Sequence, residues 1–202
     1  MISQNRFDLI AIQDLIPQNA QLLDLGCGDG SLLESLSQSR NIQGYGLETS
    51  SDQIQSCVAK GVNVIEQNLD HGLSNFDNKS FDVVLMAQAI QELSNPRALL
   101  HDIVRVGHQG IVTFPNFGFW KNRWMLTTQG RMPESKTIPH KWYSTPNIHL
   151  CTCKDFELLC KENDIRVDKK IVLNARGESN FHTQQCPNLF GEIAIYCISA
   201  AS

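Results

Sequence analysis

Short apolar runs alternate with stretches of helical period along most of this chain. Phe7, Ile10 and Leu15 fall at helical spacing, and Pro17 follows, where a helix can stop. Residues 22–25 read as a buried strand, which leads through a glycine turn into a helix carrying Leu32, Leu33 and Leu36. A second strand is expected at 44–47. Thr49, Ser50 and Ser51 can then cap a helix carrying Ile54 and Val58. Strands follow at 62–65 and, as a continuous apolar run after one acid, at 81–86. A helix over 95–106 leads to a fifth strand at 110–114. Later, Thr152 and Asp155 match a capping box ahead of a helix carrying Phe156, Leu159 and Cys160. Two more strands are expected at 165–173 and 193–198. This alternation predicts an α/β fold, a mostly parallel sheet with helices on both faces.

The regularity stops between residues 115 and 149. That segment holds all three tryptophans and four of the seven prolines, with no clean period. It is the candidate lid or interaction surface of what otherwise reads as a single domain over 1–202, without repeats, low-complexity tracts or linkers.

A chain of 202 residues, 42% hydrophobic and 19% charged, can bury a sizeable core. Its formal charge of −4 argues against non-specific nucleic-acid binding, which needs clustered Lys and Arg. No apolar run approaches the roughly 20 residues of a membrane span, so no membrane role is expected. Asp8 and Asp14 interrupt the N-terminal apolar pattern, which does not read as a secretory signal. Seven cysteines, an odd number in a chain too long to need disulfide staples, point to reduced thiols and a cytoplasmic setting.

The sharpest motif is LLDLGCGDGSLL at 22–33, in which Gly26, Gly28 and Gly30 form G-x-G-x-G at the end of a strand. Glycine permits positive φ and close ligand approach, and the helix that begins there is expected to turn free N–H groups toward the ligand. Glu48 lies 22 residues after Gly26, at the end of the second strand, where a carboxylate can accept from two ribose hydroxyls. Dinucleotide enzymes favour G-x-G-x-x-G, and here the third glycine comes one residue early. Asp24 and Asp29 would repel a pyrophosphate. They suit a ligand with a cationic amino group and a sulfonium, which describes S-adenosylmethionine (SAM).

This run resembles the class I SAM-dependent methyltransferases, over nearly the whole chain. The resemblance implies a Rossmann-like fold with a seven-stranded sheet whose last strand in space order runs antiparallel. It also implies SAM or S-adenosylhomocysteine as the cofactor. The turn, with Asp24, Gly26, Cys27, Gly28 and Gly30, would hold the methionine part. Glu48 and Thr49 would hold the ribose. Asn68, where the family usually has Asp, would meet the adenine with Leu69 beside it, and Gln88 would line the site.

No catalytic residue emerges. The aromatic motif of base amino-methyltransferases is missing from MAQAIQEL at 86–93, and Phe114-Pro115-Asn116-Phe117 has the wrong order and place. Gln88 and Gln91 sit where an acceptor would lie, but an amide is no base. Glu92 reads as one acid on an exposed helical turn. His149, Cys151 and Cys153 would share a face of an extended strand, yet this spacing is poor for a metal site, and no metal is expected.

Residues 113–160, TFPNFGFWKNRWMLTTQGRMPESKTIPHKWYSTPNIHLCTCKDFELLC, resemble the methionine biosynthesis protein MetW family more specifically. Phe119 and Ser144 depart from the family's His and Asp. The resemblance implies a role in methionine synthesis beside MetX, a homoserine O-acyltransferase whose nucleophile this chain does not supply, since it has no G-x-S-x-G elbow. From 117 to 149, Lys121, Arg123, Arg131, Lys136 and Lys141 stand against one acid, Glu134, interleaved with aromatic residues. Trp120, Arg123, Arg131, Trp142 and Tyr143 are therefore the candidate partner contacts. The alternative function is an active SAM-dependent methyltransferase acting on a small molecule under the lid.

Overall fold

The structure is a computed structural model that describes residues 7–201. The chain runs α1 (Phe7–Gln13), β1 (Gln21–Leu25), α2 (Ser31–Arg40), β2 (Gln43–Glu48), α3 (Ser51–Ala59), β3 (Asn63–Glu66), β4 (Phe81–Ala87), α4 (Pro96–Val106) and β5 (Gly107–Pro115). It continues through α5 (Trp120–Gln129), α6 (Cys153–Glu162), β6 (Ile165–Leu173), α7 (Phe181–Gln185), α8 (Pro187–Phe190) and β7 (Ile193–Ala200). Single 3-10 turns sit at Leu69–His71 and Ile90–Glu92. Among the described residues no helix is long and apolar enough to cross a membrane.

Seven strands form one sheet in the order β3-β2-β1-β4-β5-β7-β6. The antiparallel strand is not the one at the edge of the sheet, as the resemblance led us to expect. It is β7, the last in the chain, slotted between β5 and β6 and antiparallel to both. The edge strand β6 thus keeps the direction of β1 to β5.

Side-chain alternation explains why the central strands read as unbroken apolar runs. Leu22, Val83, Leu85 and Ile111 face one core with Ile12 and Ile16 and with Leu32, Leu33 and Leu36 of α2. Leu23, Leu25, Val84, Met86, Val112 and Phe114 face the other with Leu99, Leu100 and Ile103 of α4 and Phe156 and Cys160 of α6. A strand covered by helices on both sides has no polar face to alternate with.

Two helices turn differently from the expected apolar faces. Ile10 is exposed on α1, while Asp8, Ile12 and Ile16 are buried. In α3 Val58 faces solvent and Cys57 is buried. No side chain of Ser50 caps α3; Glu48 instead accepts from the N–H groups of Thr49 and Ser50. The capping box of α6 forms as expected, with Thr152 and Asp155 bonding each other's backbone N–H.

The segment 115–149 is not wholly irregular, since it contains α5. Its entry is fixed by Asn116, which is buried where β5 ends. Its Oδ1 accepts from Gly118 N (3.0 Å) and Cys153 N (3.2 Å), and its Nδ2 donates to Asn188 O (3.2 Å) and Gly191 O (2.8 Å). One amide thereby ties the exit of β5 to the start of α6 and the approach to β7. Asn116→Ala would leave several buried backbone groups without partners, so it should lower stability by about 2 kcal/mol or more. Urea unfolding followed by far-UV circular dichroism checks this; a midpoint equal to wild type would show that water replaces the lost bonds.

Candidate functional site

A cavity of about 430 Å³ opens beside the carboxyl ends of β1, β2 and β4. This is the crevice where strand order reverses, the usual ligand position in open α/β sheets. Gly26, Glu48, Thr49, Asn68, Leu69 and Gln88 all line it, brought together from four separate stretches of sequence. Leu47, Gln67, Asp70, Ala87, Ala89, Glu92 and Leu93 complete the wall. Asp24, Cys27, Gly28 and Gly30 do not line it. Asp24 is buried in β1, and the other three shape the turn behind the wall.

The glycine turn is stitched to β2. Gly26 N and Cys27 N both donate to Leu47 O, at 2.9 and 3.1 Å, and Gly28 N donates to Glu48 Oε2 at 3.0 Å. Gly30 N donates to Cys27 O and Ser31 N to Asp29 Oδ1. Five N–H groups of the turn are thus spent within the protein, from Gly26, Cys27, Gly28, Gly30 and Ser31. Positive φ at Gly26 (75°), Gly28 (56°) and Gly30 (74°) explains the need for glycine. A Cβ on Gly46 opposite would lie 2.3 Å from Cys27 Sγ, so the Cys27 side chain fills the space behind the turn. Burial, first, and Asp24 raise the Cys27 thiol far above its ordinary range, as befits a packing residue.

Glu48 is the most connected group at the site. Its Oε2 accepts from Gly28, and its Oε1 from Thr49 N (2.7 Å) and Ser50 N (3.0 Å). Three fixed donors orient the carboxylate and leave it acceptor capacity toward the cavity. Asn68 caps the Leu69–His71 turn by accepting from Asp70 N at 2.9 Å, and Asp70 in turn accepts from Ser94 N and Oγ. Gln88 holds a left-handed backbone, φ 64°, uncommon for a side-chain-bearing residue and typical of constrained sites. Its Nε2 donates to Asp8 Oδ2 at 3.0 Å, which fastens α1 over the ends of β4 and β5.

Two other residues depart from expectation. Gln91 does not line this cavity. It is buried and its side-chain Nε2 donates to Pro115 O and Cys151 Sγ, while its backbone carbonyl accepts from Ile148 N and His149 N. Glu92 does line the cavity, at its rim. Partial desolvation raises its carboxyl pKa, His140 opposes that rise, and Glu48 adds to it. Sequence spacing could not separate the two, because a 3-10 turn points neighbouring side chains to different sides.

Among the described residues no three His, Cys, Asp or Glu side chains gather as a metal site. His149, Cys151 and Cys153 do not share a strand, because Cys153 opens α6. Burial pushes the Cys151 thiol up to about 11 and the Cys160 thiol up to about 12, so both are protonated at neutral pH.

The candidate partner contacts lie elsewhere on the surface. Trp120, Arg131, Trp142 and Tyr143 are exposed, the last two packed edge to face. Arg123 is exposed as well, and its Nε donates to Gly118 O, which braces the start of α5.

The family model for the methionine biosynthesis protein MetW matches residues 6–198. The chain belongs to the MetW family. A relative from Rhodopirellula baltica (strain DSM 10527 / NCIMB 13988 / SH1), the bifunctional methionine biosynthesis protein MetXA/MetW, is 28% identical over 194 residues. That match takes in 92% of this chain but 31% of the relative, so this chain spans under a third of that protein's length. Among solved structures, a SAM-dependent methyltransferase from Archaeoglobus fulgidus has a TM-score of 0.68 at 16% identity, covering 96% of this chain and 94% of that one. The [4+2]-cyclase SpnF has a TM-score of 0.67 at 14% identity, covering 96% of this chain and 80% of that one. At such identities the likeness shows the fold, which a methyltransferase and a cyclase share.

In this MetW chain Asp29 is not the free acid that the motif suggested. Lys60 Nζ pairs with its carboxylate and Ser31 donates to it. Partial burial pushes the carboxyl up, but hydrogen bonds from Lys60 and Ser31 outweigh it and hold the pKa at about 2, below the ordinary 3.8. A depressed pKa gives stability that is present above the unfolded value and lost as pH falls through the folded one. Lys60→Met should therefore flatten the acid limb of stability between about pH 4 and pH 2. Thermal melts across that range check it, and an unchanged slope would mean that solvent screening cancels the pair.

Proposed function

We propose that the protein is a SAM-binding accessory subunit that supports homoserine acylation by a homoserine O-acyltransferase, MetX. The observation that carries the partnership is the bifunctional relative MetXA/MetW, which joins the two units in one polypeptide. Joining two units in one chain raises their effective concentration for each other, which is useful where they act together. The acyl-transfer nucleophile would belong to the partner.

The residues of the cavity fit SAM. Glu48 would accept from the ribose hydroxyls, Asn68 and Leu69 would meet the adenine, and Gln88 and the glycine turn would border the methionine part. The third glycine of the turn, one residue early for a dinucleotide motif, favours this sulfonium ligand. When bound in a methyltransferase, SAM supplies an activated methyl group.

A second reading is a small-molecule methyltransferase. The observation favouring it is Glu92, a carboxyl with raised pKa at the cavity rim, as a general base requires. Co-purification with the acyltransferase of the same cell, with and without SAM, separates the readings. The accessory reading expects a complex and no release of S-adenosylhomocysteine. Turnover of SAM that Glu92→Gln abolishes, without a complex, would establish the second.

Glu48→Ala should weaken SAM binding by about 1.5–3 kcal/mol, the worth of a hydrogen bond to a charged group. Isothermal calorimetry on the folded variant reads this. Equal affinity would remove Glu48 from the site, and no binding by wild type would leave a SAM-fold scaffold.

A further inference from the structure

Helix α5 is built inside out. Of its ten residues, Asn122 is the buried one. At about 100° per residue, Trp120 and Trp124 both lie about 160° around the helix from Asn122. They are 43% and 62% exposed. A helix this short is marginal in water unless an apolar face is packed; here Trp124 is largely exposed, while Trp120 packs edge-on against buried Phe119 and borders a cleft with His182 and Phe190, its remaining surface open to solvent.

The outer face is also ready to be dried. Thr127 and Thr128 flank the tryptophans, and their hydroxyls already donate to Arg123 O (2.8 Å) and Trp124 O (2.7 Å), one turn back. Arg123 Nε donates to Gly118 O. Covering this face would strand neither threonine hydroxyl, and the two indole N–H groups are donors that acceptors in a partner groove would meet. Lys121 Nζ stands 5.8 Å from the Trp120 ring centre and supplies a cation at the rim.

We propose that α5 is a docking helix whose Trp120–Trp124 face seats in an apolar groove of the acyltransferase, a groove rimmed by carboxylates. This inference rests on the accessory-subunit reading and deepens it. The mode is helix in groove, anchored by side chains at i and i+4. The acidic rim follows from charge. Lys121, Arg131, Lys136 and Lys141 surround the helix in sequence against Glu134, within a chain of net charge −4. A partner groove of opposite sign meets this local excess. A second copy of this chain, acidic overall, is the competing occupant.

The test uses the full chain and the homoserine O-acyltransferase of the same cell. Calorimetry should show Trp124→Ala weakening the complex by about thirtyfold or more, with circular dichroism and SAM affinity unchanged. Leu158→Ala, an exposed apolar residue on α6 outside the segment, should bind as wild type. Raising salt should weaken the wild-type complex, and Lys121→Glu should weaken it further. If wild type binds and both Trp120→Ala and Trp124→Ala bind equally well, the docking helix is wrong while the partnership stands. If wild type does not bind the acyltransferase, both fall. If light scattering shows a dimer of wild type that Trp124→Ala dissociates, the occupant is a second copy and the proposal is overturned.

Discussion

The half of this molecule that follows the sheet's parallel core hangs on the side chain of Asn116. A buried amide has two donors and two acceptor positions, and here all four meet backbone groups from different parts of the chain. Its own backbone extends the tie, since Asn116 N donates to Glu192 O and Phe119 N donates to Asn116 O. The antiparallel insertion of β7, the start of α6 and the take-off of α5 therefore share one junction. That is why a long segment with few buried side chains of its own can leave the core and return in register.

The parts of the fold that were legible in sequence are those where one physical rule acts alone. Strands β1, β4 and β5 are covered on both faces, so unbroken apolar runs identified them. The α6 capping box was legible because Thr152 and Asp155 need only each other. Helix α5 was not legible, because its apolar residues face solvent and its buried residue is polar, which inverts the pattern that periodicity reads. The buried face of α1 was missed for a similar reason. Asp8 is fully enclosed, with Gln88 and Thr113 donating to it across about a hundred residues of sequence or nearly so. Such partners help make that burial tolerable.

At the site, residue types were readable but their roles were not. The three glycines announce a turn with positive φ, and the structure agrees. The motif alone could not say that β2 would consume the N–H groups of that turn, nor that Lys60 would neutralise Asp29. Both facts bear on the ligand. With several of its donors spent on β2 and its outer acid paired, the turn serves to hold Glu48, one of three acids on the cavity wall with Asp70 and Glu92. The same constraint explains why Glu48 does two structural jobs, orienting Gly28 and the start of α3, before it meets any ligand.

The 3-10 turn at Ile90–Glu92 gives the cavity a mechanical neighbour. Glu92 faces the cavity rim, while Gln91 beside it holds Ile148 and His149 through its backbone carbonyl and Cys151 and Pro115 through its side-chain amide. Pro115 precedes Asn116, and residues 148–151 close the segment that began there. The turn thus joins the cavity rim to both ends of the segment that carries α5 through two neighbouring residues.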